Sequence, residues 1–149
     1  MNYYLDASAW VKRYFVEEGT PWMSSFWRRE PAVVCATLGL IEVLATVSRR
    51  WNPSVTTEDL QTMLATVHRD FAGITPIPLT DPVIRIAAEL APQRRLRGAD
   101  CVHLASAMYL REQLGESPTI VACDRELLQA ATEDGFATAD PATNPPPPQ

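Results

Sequence analysis

The stretch NYYLDASAWVKRY, residues 2–14, places an acid between two different sequence patterns. Residues 2–5 form an apolar run typical of a short buried strand, and from Ala7 onward the apolar residues recur at helical spacing. Asp6 lies where the first pattern ends. An acid at such a point can cap the helix by accepting backbone N–H groups, or it can belong to a site assembled from distant parts of the chain. This stretch alone leaves both interpretations open.

The composition indicates one domain that builds an ordinary hydrophobic core. The chain has 149 residues, of which 46% are hydrophobic. This is enough for a hydrophobic core that needs no disulfide or structural metal ion for stability. No basic-then-apolar leader opens the sequence, and no apolar run approaches the roughly 18 residues of a membrane span. We therefore expect a cytoplasmic protein without a membrane partner, whose three isolated cysteines are small buried side chains.

The net charge of −5 argues against a protein that coats DNA or RNA through a basic surface. It does not exclude an enzyme whose acids hold divalent cations, because the cations then supply the local positive charge.

Short apolar runs alternate with helical patterns along the chain. Strands are predicted at residues 3–5, 33–35, 74–79 and 119–124, with a last short one at 136–138. Helices are predicted at residues 7–18, 37–50, 57–71, 81–90, 100–114 and 125–134, with one more opening at residue 20. This order predicts an α/β protein in which a mostly parallel central sheet is covered on both faces, a three-layer α/β/α arrangement.

Acids occur at the ends of two predicted strands and in two predicted helices. Asp6 and Asp124 follow strands, and ligands of parallel sheets bind beyond the carboxyl ends of the strands. Asp124 and Asp100, like Asp6, could instead be helix caps. Glu42 lies well inside a helix among apolar neighbours, so it is either a lone exposed acid or an inward one that needs a partner.

Carboxylates gathered at one edge of a sheet would repel each other unless they shared a cation. Oxygen ligands suit Mg²⁺ or Mn²⁺ better than zinc. Two such ions about 4 Å apart can activate water and stabilise the leaving oxygen of a phosphodiester. The four acids therefore favour a magnesium or manganese site.

Four stretches carry a resemblance to a known family: YLDASAWVKRY (4–14), LIEVLATVSRR (40–50), GADCVHLASAM (98–108) and VACDRELLQAA (121–131). Together they resemble the four motif blocks of PIN-domain ribonucleases, and most closely the VapC-type toxins of bacterial toxin–antitoxin pairs. The likeness spans roughly residues 2–139. It implies a PIN-like nuclease domain at 1–140, and the Pro-rich composition of residues 141–149 predicts a disordered tail. The likeness also implies Mg²⁺ or Mn²⁺ as cofactor, RNA as substrate, a cognate antitoxin as partner, and a homodimer or toxin–antitoxin hetero-oligomer.

The resemblance assigns roles residue by residue. The acids that it implies as metal ligands and catalytic residues are Asp6, Glu42, Asp100 and Asp124. Ser8 matches the hydroxyl that usually follows the first acid by two positions. Many members of the family carry Thr or Ser two residues before the fourth acid, where this chain has Ala122. A hydrogen bond in the second metal site is therefore expected to be missing.

Two further residues could contact the substrate or support the acids. His103 lies one turn after Asp100 on the same helix face, where it could touch a substrate phosphate, steady a carboxylate or simply pack. Arg97 belongs to the basic stretch 92–100 that leads into Asp100. That stretch could contact the RNA backbone, as could Lys12 and Arg13, or it could be a solvated loop.

An apolar band in the N-terminal helices is wider than one core-facing side needs, and it predicts a groove for a helix of the partner. The band comprises Trp10, Val11, Tyr14, Phe15, Trp22, Met23, Phe26 and Trp27.

Other classes remain as alternatives. A housekeeping PIN nuclease would act without an antitoxin, and a non-catalytic PIN-fold binding module would be expected to lose acids. A phosphotransferase with an aspartate nucleophile usually needs Asp-x-Asp after the first strand and a later lysine. This chain has Ser8 in place of the second Asp and no lysine after Lys12, so it does not fit that class.

Overall fold

The computed structural model describes residues 2–52 and 56–145. The strands are β1 (Asn2–Leu5), β2 (Ala32–Ala36), β3 (Thr75–Ile77), β4 (Thr119–Val121) and β5 (Thr138–Ala139). The helices are α1 (Ala7–Trp10), α2 (Thr20–Arg28), α3 (Thr37–Arg50), α4 (Thr57–Ala72), α5 (Asp81–Arg94), α6 (Gly98–Leu114) and α7 (Arg125–Glu133), and a single 3-10 turn (Val11–Arg13) follows α1.

The strands form one five-stranded sheet in the order β3-β2-β1-β4-β5. Every pairing is parallel, with Tyr4 of β1 opposite Val34 of β2 and Ile120 of β4. The prediction of a mostly parallel central sheet is confirmed. In chain order, β2 and β3 extend the sheet on one side of β1, and β4 and β5 then extend it on the other side. The strand order therefore changes direction between β1 and β4, and the crevice beyond the carboxyl ends of these two strands is the expected ligand site of such a sheet.

Alternate residues of the strands pack into two separate hydrophobic cores, because side chains along a strand point to opposite faces of the sheet. Tyr4 and Ile120 pack with α5, α6 and α7 on one face. Leu5 and Val121 pack with α1, α2, α3 and α4 on the other. The predicted three-layer α/β/α architecture is therefore confirmed.

The first helix is shorter than predicted. The apolar spacing predicts a helix to residue 18, but α1 ends at Trp10 and the chain continues through the 3-10 turn. Aromatic and β-branched residues are weak helix formers. Tertiary contacts therefore determine the backbone conformation of this segment. Arg13 pairs with Asp70 of α4 at 2.6 Å, and the Arg50 guanidinium of α3 stacks 4.1 Å from the ring centroid of Phe15.

The N-terminal apolar band is mostly interior, which corrects the expectation of a wide exposed groove. Its buried members are Trp10, Val11, Trp22, Met23 and Phe26. The remaining three, Tyr14, Phe15 and Trp27, are half-buried. Trp10 donates its indole N–H to the Tyr14 hydroxyl at 2.9 Å, so even the half-buried rings help to close the core.

The basic stretch before Asp100 is largely helical, which corrects its prediction as a loop. Helix α5 continues past Leu90 and through Pro92 to Arg94. Arg94 is held by ion pairs at the end of α7, at 2.9 Å to Glu133 and also to Asp134, the residue that follows the helix. Because α6 begins at residue 98, only residues 95–97 connect the two helices.

The predicted tail, residues 141–149, lies partly outside the described residues, which end at 145. The described part turns at Asp140, whose N–H bonds to the Asn144 side chain, and the Trp22 indole donates to the Pro145 carbonyl at 3.0 Å. The division at 140/141 stays a prediction.

Cysteines 35, 101 and 123 are free thiols. In the ranges that the structure describes, no helix has the length and apolar character needed to cross a bilayer.

Candidate active site

A cleft of about 450 Å³ opens at the carboxyl edge of β1, beside β2 and β4. It is called the acidic cleft below. All four acids selected from the sequence line it, together with Ser8, Arg97 and Arg49, and its remaining wall comes from Ala7, Val11, Ile41, Ala45 and Thr46. The topology thus brings together residues that are far apart in the chain, from Asp6 to Asp124.

Asp6 both caps a helix and faces the acidic cleft, so the two interpretations of the sequence are compatible. Its carboxylate accepts the Ser8 N–H at 2.9 Å and also the Ser8 hydroxyl. The Ser8 hydroxyl oxygen in turn accepts the Cys123 N–H at 2.9 Å. Ser8 therefore ties the end of β1 to the segment that follows β4, and it orients Asp6 while doing so.

Glu42 could have been a lone exposed acid or an inward one with a partner. The structure shows the inward arrangement. Glu42 projects from α3 and is half-buried. Its Oε2 lies 2.6 Å from Nε2 of His103, which is 1% exposed and also lies 3.4 Å from Oδ1 of Asp6. Burial alone would lower the pKa of His103, but the adjacent carboxylates of Asp6 and Glu42 outweigh it and the net pKa is raised. His103 thus serves as the partner that an inward-facing Glu42 requires.

Asp100 and Asp124 share a different partner. Asp124 caps α7 by accepting the Leu127 N–H at 3.0 Å. Arg97 bridges the two acids, with Nε 2.9 Å from Asp100 and Nη2 2.6 Å from Asp124. Asp100 lies in the first turn of α6 and is buried, and this burial is the main reason that its pKa is raised. Its hydrogen bond to Arg97 raises the pKa of that guanidinium.

Arg49 lines the acidic cleft although the sequence patterns did not single it out. It follows Glu42 by seven residues, and this two-turn spacing on one helix face was the signal that could have found it. The other basic candidates are engaged elsewhere: Lys12 lies 3.6 Å from Glu17 and Arg13 pairs with Asp70. Arg49 has no carboxylate partner among the described residues, and its guanidinium donates a hydrogen bond to the Thr46 hydroxyl at 3.4 Å.

The donor set of the acidic cleft fits a hard divalent cation. It offers carboxylate oxygens from four side chains, which suit Mg²⁺ or Mn²⁺. Within residues 2–52 and 56–145, no three Asp, Glu, His or Cys side chains are already drawn together as a ligand cluster. Instead, each pair of acids is held by a nitrogen donor, His103 on one side and Arg97 on the other.

Comparison with known proteins agrees with this fold. The model of the PIN domain family matches residues 3–133. The chain is 32% identical over 142 residues to Ribonuclease VapC47 of Mycobacterium tuberculosis, covering 93% of this chain and 96% of that protein. It is 35% identical over 147 residues to Ribonuclease VapC45 of the same organism, covering 95% and 97%.

Among solved structures, a toxin–antitoxin complex from Klebsiella pneumoniae contains a chain of the same fold. Its TM-score is 0.67 at 10% sequence identity, covering 93% of this chain and 97% of that one. At this identity the likeness supports the fold. The family match and the two relatives agree with the resemblance seen in the sequence motifs. The chain therefore belongs to the PIN domain family and is of the VapC type.

Proposed function

We propose that this protein is a metal-dependent endoribonuclease that acts as the toxin of a toxin–antitoxin pair. The observation that carries the proposal is the meeting of Asp6, Glu42, Asp100 and Asp124 in one open cleft at the switch point of a parallel sheet. The names of the relatives, Ribonuclease VapC47 and Ribonuclease VapC45, supply the substrate class.

The four carboxylates would hold Mg²⁺ or Mn²⁺. A divalent cation bound there would activate water as a nucleophile and neutralise negative charge on the phosphodiester. The protein's own groups prepare for this chemistry. Ser8 orients Asp6, His103 holds Glu42 toward the acidic cleft, and the burial of Asp100 limits competition from solvent for its oxygens.

Two arginines on the rim are suited to bind the RNA backbone. Arg49 is exposed and has no carboxylate partner among the described residues, and Arg97 is exposed but engaged with two acids. Guanidinium groups bind phosphate through two parallel hydrogen bonds. With a net charge of −5, such local positive charge is what would let an acidic protein hold a polyanion.

The proposed partner is a cognate antitoxin, since the chain of the same fold from Klebsiella pneumoniae belongs to a toxin–antitoxin complex. Ile41 offers the partner an apolar contact, because this side chain is 62% exposed and lies on the wall of the acidic cleft next to Glu42. A partner seated there would cover the acids. The assembly would be a homodimer or a toxin–antitoxin hetero-oligomer in the cytoplasm, where its RNA substrate is found.

The direct test is cleavage of RNA by the purified chain in EDTA, Mg²⁺ and Mn²⁺, with a phosphatase substrate in parallel. We expect RNA fragments only when the metal is present, and no release of phosphate from the phosphatase substrate. Binding of RNA without cleavage in any metal would favour a non-catalytic PIN-fold module.

The partner is tested by expressing the protein with its gene neighbour. Co-purification and growth arrest on expression alone are expected. Emergence as a single protein that leaves growth unchanged would favour a housekeeping PIN nuclease.

A further inference from the structure

A buried chain of hydrogen bonds runs from the backbone of the sheet to the acidic cleft. The Ala36 N–H at the end of β2 donates to the Tyr4 hydroxyl at 3.3 Å. That hydroxyl lies 2.9 Å from Nδ1 of His103, and Nε2 of the same ring lies 2.6 Å from Glu42. Tyr4 is fully buried and His103 nearly so. The hydroxyl of Tyr4 is thus the group through which the sheet fixes the imidazole.

The two ring nitrogens have unequal surroundings, and these determine where the proton lies. Nε2 faces the carboxylates of Glu42 and Asp6, which when ionised can only accept hydrogen bonds. Nδ1 faces the Tyr4 hydroxyl, which can donate to a neutral ring or accept from a charged one. In both cases the proton on Nε2 points at the acids, so His103 is a donor toward the acidic cleft.

This arrangement favours orientation of the acids over two other tasks for His103. A metal ligand or a general base would need a bare Nε2, and here that nitrogen is occupied by Glu42 at 2.6 Å. The ring is also fixed edge-on against Tyr4, with centroids 6.0 Å apart and planes at 78°. The arrangement therefore suits orientation of the acids that His103 touches.

We propose that Tyr4, acting through His103, is a positioning residue that holds Glu42 and Asp6 in the arrangement needed to bind the metal. This inference rests on the proposed function for its biological meaning. The hydrogen bonds themselves do not depend on that function, so they can be tested separately. Partners in the layer behind metal ligands typically change metal affinity or activity by about 10- to 100-fold when removed.

The first test is Tyr4→Phe, which removes one hydroxyl and keeps the ring. We expect the affinity for Mn²⁺, measured by calorimetry, to fall by about 10-fold. We also expect kcat for RNA cleavage to fall with little change in KM, because the rim arginines are untouched. Leu90→Ala is the matched control, since it weakens the same core without touching the hydrogen-bond chain. It should lower the melting temperature but leave Mn²⁺ affinity unchanged.

The second test compares two replacements of the imidazole. In His103→Gln the side-chain amide can reach the position of Nε2 and donate to Glu42, whereas in His103→Asn it can reach only the position of Nδ1. We expect His103→Gln to lose about as much Mn²⁺ affinity as Tyr4→Phe, because it keeps the contact with Glu42 but has no group at the position of Nδ1 for the Tyr4 hydroxyl. We expect His103→Asn to lose more, because it no longer reaches Glu42. Wild-type Mn²⁺ affinity in His103→Gln, at an unchanged melting temperature, would overturn the proposal.

The third test determines directly which ring nitrogen of His103 carries the proton. The chain has two histidines, and His68 is exposed on α4, so it serves as an internal reference in nitrogen-15 spectra of the imidazole side chains. We expect His103 to carry a proton on Nε2, and its Nδ1 signal to shift in Tyr4→Phe while His68 stays constant. A bare Nε2 on His103 would overturn the assignment.

These outcomes separate the inference from the proposed function. If the wild-type chain binds Mn²⁺ but cleaves no RNA, the proposed function fails and the inference is decided by the Mn²⁺ affinities of the variants. If Tyr4→Phe binds Mn²⁺ and cleaves RNA as well as the wild type does, the inference fails and the proposed function stands.

Discussion

The two halves of the acidic cleft hold their carboxylates in different ways. Asp6 and Glu42 are joined to His103, whose ring is 1% exposed and fixed on its far side by Tyr4. Asp100 and Asp124 are joined to Arg97, whose side chain is 71% exposed. The first half is held from inside the core, and the second is held by a side chain that reaches in from solvent.

This difference separates a permanent support from a removable one. A buried imidazole cannot leave without opening the core, so its half of the acidic cleft keeps one arrangement. An exposed guanidinium can leave when its two ion pairs break, and the pair with the partly exposed Asp124 contributes about 0 to 1 kcal/mol. We therefore expect the half formed by Asp6 and Glu42 to be ready for metal, and the half formed by Asp100 and Asp124 to become ready when Arg97 moves.

The largest effect is expected from Asp6→Asn, which changes the ready half. The amide keeps the capping oxygen but loses the charge, so the fold should persist while cleavage falls by more than about 100-fold, because a metal ion contributes several kcal/mol to such reactions. Gel assays of RNA cleavage in Mn²⁺ measure this effect, with far-ultraviolet circular dichroism as the control for folding. A rigorously purified variant that still cleaves RNA would remove Asp6 from the set of metal ligands.

Ser8→Ala is expected to have the next largest effect. It leaves the Cys123 N–H without its acceptor and Asp6 without one donor. Losing a partner of a buried polar group costs about 1 to 3 kcal/mol, so the free energy of unfolding in urea should fall by that amount. Ser48→Ala, an exposed serine of α3, is the matched control. Equal stability of the two variants would show that Ser8 does not link β1 to β4.

Arg97→Ala is expected to act in two opposite directions. Without the guanidinium, Asp100 and Asp124 no longer have to be released, so the Mn²⁺ concentration for half-maximal cleavage should fall by about two- to tenfold. At saturating Mn²⁺ the KM for RNA should rise, because one phosphate contact is lost. Arg95→Ala, an exposed neighbour outside the acidic cleft, should change neither value. A higher Mn²⁺ requirement in Arg97→Ala would mean that the arginine helps to hold the metal-bound state.

The smallest effect is expected from Arg49, and its neighbour provides the comparison. Arg49 lines the acidic cleft, whereas Arg50 pairs with Glu17 at 2.8 Å on another side of the same helix. Arg49→Ala should raise KM for RNA a few-fold and reduce the salt dependence of binding by about one counterion. Arg50→Ala should leave both unchanged. Filter binding at several salt concentrations distinguishes the two, and equal effects would argue against an RNA path along α3.

Much of this architecture could be predicted from local pattern. Strands alternating with helices predicted the three-layer fold, and the motif likeness predicted the family, and both are confirmed. The position of Asp6 and Asp124 after strands predicted that they would share an edge, since parallel strands end together. The catalytic roles of the acids, and those of Ser8, His103 and Arg97, stay predictions.

The errors arose where long-range contacts decide local structure. The segment after Trp10 carries an apolar helical pattern, but it leaves the α-helix there. Contacts from Arg13 to Asp70 and from Phe15 to Arg50 hold it in the non-helical conformation. Helix α5 passes Leu90 because Arg94 is anchored on α7. Tyr4 looked like an ordinary core residue, since a sequence does not show which helix will bring a histidine to its hydroxyl.

The four acids should form a divalent-metal site once Arg97 has moved aside. Crystals of the wild-type chain soaked in Mn²⁺, with data collected at a wavelength where manganese scatters anomalously, test this most directly. We predict an anomalous peak within coordination distance of Asp6 and at least one of Asp100 and Asp124, with the Arg97 guanidinium displaced from both. An acidic cleft without such a peak at millimolar Mn²⁺, with Arg97 still bonded to Asp100 and Asp124, would contradict it.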